Sequence, residues 1–482
     1  MKNRIVKIGQ ASLLVVALLF SSCNDFLNEI PKGQKTPTKW DDYNAFLRNE
    51  YIYNSEMGNA YILMNDVYRT PTQLNTPLIR ANYNWDESID RSAENTTDYY
   101  LYNNNYEAIF YCNLIIEQVP DATDCTEQQR QMLIAQARVL RGLCYYHVAN
   151  YHADQYSDAT LNKTAVPLIT SSAVSAPSPQ VTIKELYDFM VTDVAKALDY
   201  LPEKGETMFH ATKAAGYGLL ARIYLSMSDY TNAQKYAELA LQQNGSLFDW
   251  IAYYNDDINR FAEPTADYAG TEYNTVCKPM ANTNPENYMF RYGNNLDYMG
   301  IYGKSMGLSM QRAARFEPGD ARLRTHWKRR YYASTDEELY YGIHGEKMNV
   351  GGITAPEMYY IKAECLARKG GADNIKAAMD VLNTVRKKRI FPDVYVDATA
   401  STTKEAVEKI ISDKANEYIQ TLVPFCDARR LNKDPEYART MTKVEGGQTY
   451  SLKPDSYLWI MPFASSVLLN PGNGTLQQNT PR

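Results

Sequence analysis

Two stretches of equal length constrain this chain more than anything else in it. Residues 212–245 (TKAAGYGLLARIYLSMSDYTNAQKYAELALQQNG) and 356–389 (PEMYYIKAECLARKGGADNIKAAMDVLNTVRKKR) are each 34 residues long. Both read as two amphipathic helices around a tight turn, at Ser228-Asp229 in the first and Gly370-Gly371 in the second. That is the length and form of a tetratricopeptide unit. Ala221, Ala233, Ala237, Ala363, Ala367 and Ala377 are small enough to let paired helices approach closely. Fewer than three such units rarely bury their apolar faces alone, so other helical patterns must complete the stack.

Those patterns are present. Ile109, Cys112, Ile115, Ile116 and Val119 mark one helix face that stops at Pro120. Met132, Ala135, Val139, Leu143 and Tyr146 mark a second. Thr182 with Glu185 forms a capping box ahead of Leu186, Met190, Val194, Ala197, Leu198 and Leu201, and Pro202 is expected to close that helix. The predicted fold is therefore dominated by α-helix, a superhelix of tetratricopeptide-like repeats. Long irregular insertions interrupt it. Residues 70–105 and the insert at 251–355 are rich in Asn, Gly, Tyr, Pro and Asp without a sustained period, and are expected to be ordered loops. Loops on a rigid scaffold are where binding usually lives.

The chain has 482 residues, 50 Lys+Arg and 56 Asp+Glu, for a formal charge of −6, so the cationic excess of a nucleic-acid binder is missing. Tyrosine is abundant, 40 residues against 5 Trp and 13 Phe, and its ring with a polar tip suits half-wet, half-buried surfaces. The N-terminus carries Lys2, Arg4 and Lys7 and then a ten-residue run, 11–20, apolar but for Ser12, the n- and h-regions of a secretory signal. Ten apolar residues are too few to span a bilayer. Phe20-Ser21-Ser22-Cys23 follows and resembles a bacterial lipobox, in which the cysteine thiol becomes a diacylglyceryl thioether; the alternative is an ordinary cleaved signal with an incidental Cys. Residues 1–22 are thus expected to be a lipoprotein signal peptide, Cys23 the lipid attachment site, and 23–38 a tether. The other six cysteines have no C-x-x-C spacing; Cys112, Cys144 and Cys365 sit in apolar helical patterns, and a Cys112–Cys125 disulfide stays open.

At this point the chain resembles the RagB/SusD-like outer-membrane lipoproteins of nutrient uptake. The resemblance runs through CNDFLNEIP after the lipobox, RVLRGLCYYHVANYH at 138–152 leading to VPLI at 166–169, TIKELYDFMVTDVAKALDYLP at 182–202 and the 212–245 unit. It continues with FEPGDARLR at 316–324, the 356–389 unit and the closing LWIMPFASSVLLNPGNGTLQQNTPR. Residues 412–430 (SDKANEYIQTLVPFCDARR) depart from the Glu-Arg-Arg-type helix start common in that family. The resemblance implies an N-terminal SusD-like region at 39–250 and a C-terminal RagB/SusD region at 251–482. It further implies a surface lipoprotein, not an enzyme, that binds oligosaccharides and hands them to a SusC-like TonB-dependent outer-membrane barrel. A peptide-binding member of such a system, or a repeat module that holds a protein partner without a small ligand, are the alternatives.

Catalytic motifs give little. Gly303-Lys304-Ser305-Met306-Gly307 fits G-x-S-x-G but lacks the strand-turn-helix context, and Tyr298 stands where a phosphate loop needs its first Gly. His147 and His152 have no H-E-x-x-H spacing and read as core residues. The acidic doublets Asp41-Asp42, Asp256-Asp257 and Glu337-Glu338 read as solvated surface rather than facing carboxylates of a glycosidase. No cofactor or metal is called for. Sugar recognition needs flat apolar faces and fork-like polar groups. Asp66, Arg80, Asn82, Tyr83 and Trp85 in the first loop, and Tyr288, Tyr292 and Trp327 in the second, are the candidate ligand contacts, with Trp85 and Trp327 alternatively anchoring their loops to the helical body.

Overall fold

The computed structural model describes residues 37–53, 58–65, 68–69, 73–94, 100–173, 175–256, 284–292, 306–332, 337–342, 349–419, 421–470, 472, 474 and 476–480. Cys23, Asp66 and Ser305 lie outside them, as does nearly all of the tether.

The principal helices, in chain order, are α1 (Trp40–Arg48), α2 (Gly58–Met64), α3 (Pro77–Asn84), α4 (Tyr100–Gln118), α5 (Glu127–His152) and α6 (Ile183–Ala195). After them come α7 (Lys213–Ser226), α8 (Tyr230–Gln243), α9 (Ala355–Arg368), α10 (Ala372–Arg386), α11 (Thr403–Glu417) and α12 (Val423–Leu431). From α4 to α12 each helix packs on the next, so the stack follows the order of the chain, as a repeat array should.

Local chemistry sets the helix ends. Thr126 caps α5 and Thr182 caps α6, each with a reciprocal bond from the Gln or Glu three residues on. Asp229 accepts from the Asn232 amide at 3.0 Å to start α8. Ser228 before it turns left-handed, φ 60°, and the α9–α10 turn uses Gly370 and Gly371 at φ 70° and 80°. Helix α6 ends at Ala195, earlier than Pro202. The chain continues in tight turns, Ala197 N–H to Val194 O at 3.0 Å and Tyr200 N–H to Ala197 O at 3.0 Å, which keep Ala197 and Leu201 buried. The main core runs from Tyr43 to Leu476, drawing on both sides of position 250, and a second cluster fills the space among α9, α10 and α11. Leu133, Val139, Leu140, Leu143 and Val148 of α5 are fully buried, and each such side chain contributes about 1.5–3 kcal/mol of transfer free energy. Gly142 lets α6 approach: a Cβ there would stand 2.6 Å from Val194 Cγ2.

Several tyrosines pack helix on helix. Tyr224 and Tyr236 stack at 5.6 Å across the first unit, and the Tyr359 hydroxyl donates to Gly245 O at 2.9 Å, tying the second unit to the first.

The insert is less irregular than expected. It contains β4 (Asn287–Met289), β5 (Met306–Ser309), β6 (Trp327–Tyr332), β7 (Glu337–Gly342) and β8 (Ile353–Thr354), after β1 (Tyr68–Arg69), β2 (Thr164–Pro167) and β3 (Gln180–Thr182). A four-stranded antiparallel sheet runs in the order β1-β5-β7-β6. Strands of two to six residues, rich in charge and tyrosine, carry too little alternation to stand out in sequence. Residues 73–94 likewise include helix α3, which Pro77 opens at its first position. After α12 comes a hairpin, β9 (Met441–Glu445) and β10 (Gln448–Leu452), around Gly446-Gly447 at φ 58° and 76°.

Arginines and carboxylates lock the C-terminal helices together. Buried Arg322 meets Asp320 at 2.7 Å, Asp413 at 2.6 Å and Glu417 at 2.7 Å, while Arg389 meets Glu286 at 2.7 Å and Glu417 at 2.6 Å. Arg430 meets Glu364 at 2.5 Å and Asp427 at 2.8 Å, and Lys414 meets Asp427 at 2.9 Å. Charges so deeply placed persist only when paired. The segment 412–430 is therefore structural as well as unusual in sequence.

Cys112, Cys125, Cys144, Cys365 and Cys426 are free thiols, so no Cys112–Cys125 bridge is present; Cys277 lies outside the described residues. Among the described residues no helix is long and apolar enough to cross a membrane.

Candidate binding cleft

A cleft of about 860 Å³ opens where α11, α12, the ends of α2 and α3, the residues after β5 and the β9–β10 hairpin meet. Its size suits a small ligand. A second cavity, between His147, Arg222, Glu357 and Arg430, measures about 20 Å³ and has room for little more than one water.

The aromatic wall of the cleft is built by two helix ends. After α2, Asn65 adopts φ 55°, and its side-chain amide donates to Ile62 O at 3.3 Å, Leu63 O at 3.2 Å and Tyr83 O at 3.4 Å. After α3, Trp85 adopts φ 54° and ψ 45°, with its amide closing on Ala81 O. Asn tolerates that left-handed conformation, but a bulky residue there costs roughly 1–2 kcal/mol. The indole repays part of it by donating Nε1–H to Leu63 O at 2.7 Å. The result sets Tyr83 and Trp85 side by side on the cleft wall, each 6% exposed. Trp459 joins the lining, its Nε1–H bonded to Lys453 O at 2.9 Å.

Polar groups complete the lining. Gln311, Arg315, Glu408, Asn432 and Arg439 line the cleft, with Ser412 and Asn416 on α11. Arg312 is buried and donates to Asn416 Oδ1 at 2.8 Å and Ala415 O at 3.1 Å. The hairpin supplies Lys443 and Glu445. Lys443 Nζ lies 3.3 Å from the centre of the Tyr83 ring, 3.2 Å from Glu445 Oε2 and 2.8 Å from Asn65 Oδ1. Burial lowers its ammonium pKa to about 8, with the Glu445 carboxylate opposing the shift.

Of the eight residues expected at the site, the structure brings only Tyr83 and Trp85 into the cleft, and Trp85 is at the same time an anchor. Asn82 is fully buried on the opposite face of α3, donating to Asn59 Oδ1 at 2.9 Å and accepting from Arg91 Nη1 at 2.9 Å. Arg80 is exposed, outside the lining. Tyr288, Tyr292 and Trp327 are 3%, 1% and 4% exposed and belong to the main core; the Tyr288 hydroxyl donates to Asn244 O. These three contribute ring area to packing, the larger and commoner use of an aromatic. Asp66 lies outside the described residues. The hairpin residues were missed, although MTKVE-GG-QTYSL, two short runs about a Gly-Gly pair, carried the signal. Arg312, Asn416 and Asn432 had none, since they converge from distant elements.

His147 and His152 are buried on α5, and His152 Nδ1 lies 2.9 Å from Met461 O; burial holds its pKa down at about 4. Among the described residues no group of three His, Cys, Asp or Glu is placed to hold a metal.

Residues 25–225 match the model of a SusD-like family described as starch-binding and associating with the outer membrane. A curated relative, SusD-like protein P25 of Formosa agariphila, is 26% identical over 162 residues, and the match spans 30% of each chain. Among solved structures, a SusD superfamily protein from Bacteroides thetaiotaomicron superposes with a TM-score of 0.68 at 18% identity, covering 92% of this chain and 100% of the other. A SusD-like carbohydrate binding protein from Bacteroides vulgatus gives 0.63 at 17% identity, covering 92% and 99%. At such identities the structural likeness speaks for the fold.

Proposed function

We propose, from the premise that this chain belongs to the SusD/RagB-like family, that it captures an oligosaccharide in the cleft between α11, α12 and the hairpin and passes it to a TonB-dependent outer-membrane barrel. The observation that carries this reading is the cleft itself: about 860 Å³, walled by Tyr83, Trp85 and Trp459 and lined further by amide and guanidinium groups. Ring faces pack on the C–H side of a pyranose, while Gln311, Asn432 and Arg439 offer donors and acceptors to its hydroxyls. The starch-binding character ascribed to the family and the carbohydrate binding ascribed to the Bacteroides vulgatus relative point the same way. The lipobox at Cys23 supports attachment to the membrane by acyl chains, as stable anchoring requires more than one. Binding without turnover is the expected activity.

Calorimetric titration of the purified chain against a panel of oligosaccharides is the test. A saturating signal from one glycan class, lost in Arg439→Ala and Asn432→Ala without loss of folding, is the expected result. A flat response to every glycan, together with capture from outer membranes of partners that never include a TonB-dependent barrel, would overturn it.

A further inference from the structure

One ring of the aromatic wall, Tyr83, already carries a cation on its face. Lys443 projects from β9 onto Tyr83 at 3.3 Å, with the Trp85 and Tyr450 ring centres 5.5 and 5.4 Å away. Asn65 Oδ1 accepts from its ammonium at 2.8 Å, and Glu445 Oε2 faces it at 3.2 Å. Three aromatic rings, a carboxylate and an amide oxygen around one primary ammonium make a cation cage. The fit is incomplete in one respect. Glu445 Oε2 is buried and makes no hydrogen bond, although the ammonium lies at ion-pair distance. Lys443 and Glu445 are two residues apart on one strand, so both point to the same face. An ammonium brought in by a ligand can approach the carboxylate from another direction. Lys443 also lines the cleft, so the cage it fills adjoins the space a ligand would enter. Burial outweighs the Glu445 attraction and lowers the Lys443 pKa to about 8, so at neutral pH the group in the cage is still an ammonium.

We propose that Asn65, Tyr83, Trp85, Glu445 and Tyr450 form an ammonium subsite on the cleft wall, occupied in this state by the protein's own Lys443, and that the free amino group of a de-N-acetylated amino sugar takes its place. This rests on the glycan reading above for the nature of the ligand, while the cage itself stands on the geometry. A hydroxyl in that position forgoes the charge–ring attraction and leaves the Glu445 carboxylate without a counter-charge. An N-acetyl group does the same and is bulkier.

Two arms test it. In the first, the full chain carrying Lys443→Ala, with Lys443→Met as a second variant, is titrated with n-propylammonium and, separately, n-propanol, following tryptophan fluorescence and the thermal midpoint. Saturable recovery of the wild-type midpoint in Lys443→Ala by n-propylammonium, without recovery by n-propanol or in Lys443→Met, is expected. Equal effects of the amine and the alcohol would overturn the cage, whatever the protein binds. In the second arm the wild type, Lys443→Ala and Glu445→Gln are titrated with tetramers of glucosamine, N-acetylglucosamine and glucose. Lys443→Ala is expected to prefer the glucosamine tetramer by about tenfold or more, and Glu445→Gln to lose about tenfold in its affinity. Binding of neutral or acetylated tetramers at least as tight as the amine would overturn the amino-sugar assignment and leave the glycan reading standing. Binding of none would overturn the amino-sugar assignment and leave the glycan reading to the wider panel, and tighter binding of a lysine-bearing peptide would reassign the subsite to peptides.

Discussion

Asn82 and Tyr83 are neighbours in sequence and do opposite work. Tyr83 turns to the cleft, whereas Asn82 turns inward to Asn59 and to Arg91, whose Nη2 in turn donates to Ile460 O at 2.8 Å. That chain of bonds fastens the C-terminal segment beneath α3. Asn82→Ala strips an acceptor from a buried guanidinium and a donor from Asn59, so we expect a loss of about 1–3 kcal/mol. A fall in the urea midpoint at constant slope would report it; an unmoved midpoint would mean the network is dispensable. Residue type alone could nominate Asn82, Tyr83, Trp85, Tyr288 and Trp327 together. Which of them meets solvent depends on the rotation of each element against its neighbours, and that is invisible one residue at a time.

Elements were legible where local chemistry sets them. Thr182 with Glu185 starts α6 as the spacing demands, and both repeat turns fall at Ser228-Asp229 and Gly370-Gly371. Gly371 stands at φ 80° and ψ 149°, a region that L residues avoid, and a Cβ added there would meet no atom within 4 Å. Gly371→Ala should therefore cost about 1–3 kcal/mol through backbone strain alone, since space is not limiting. Denaturant unfolding would measure it, and a neutral result would show that the turn relaxes. Short strands were not legible: β5 and β7 pair across about thirty residues of chain, and their pairing depends on partners that no local window contains. The hairpin was legible in principle, its role as a cleft wall was not.

At the scale of the molecule, buried ionisable groups tie stability to pH. Burial alone would raise Glu364 and Glu417, yet Arg430 holds the first at about 2, and Arg389 with Arg322 the second at about 2, against 4.5 when unfolded. For these two carboxyls, folded pKa values below the unfolded ones mean stability that is present above about 4.5 and lost as pH falls toward 2, while Glu286 and Asp320, raised by burial, act in the opposite sense. His152, held neutral by burial with a pKa of about 4 against 6.5, adds an earlier loss: the unfolded chain takes up its proton first, so stability falls between 6.5 and about 4. Each group contributes about 1.4 kcal/mol per pH unit within its window. Thermal midpoints should thus decline in two stages on acidification, with the first reduced but not abolished in His152→Gln, because burial also holds the His147 and His210 pKa values down; a midpoint flat down to 4.5 would contradict the assignment.

What this sequence determined by itself is the periodic part: two 34-residue units, their turns, their caps, a helical stack in chain order and an N-terminus shaped like a lipoprotein signal. Those features follow from interactions within a few residues, where spacing is enough to specify geometry. The cleft is different. Asn65, Trp85, Arg312, Asn432 and Lys443 lie far apart in the chain, and only the packing of α3 and α12, the left-handed turn at Trp85 and the return of the hairpin bring them to one surface. Their convergence is a product of long-range burial, which no spacing along the chain encodes.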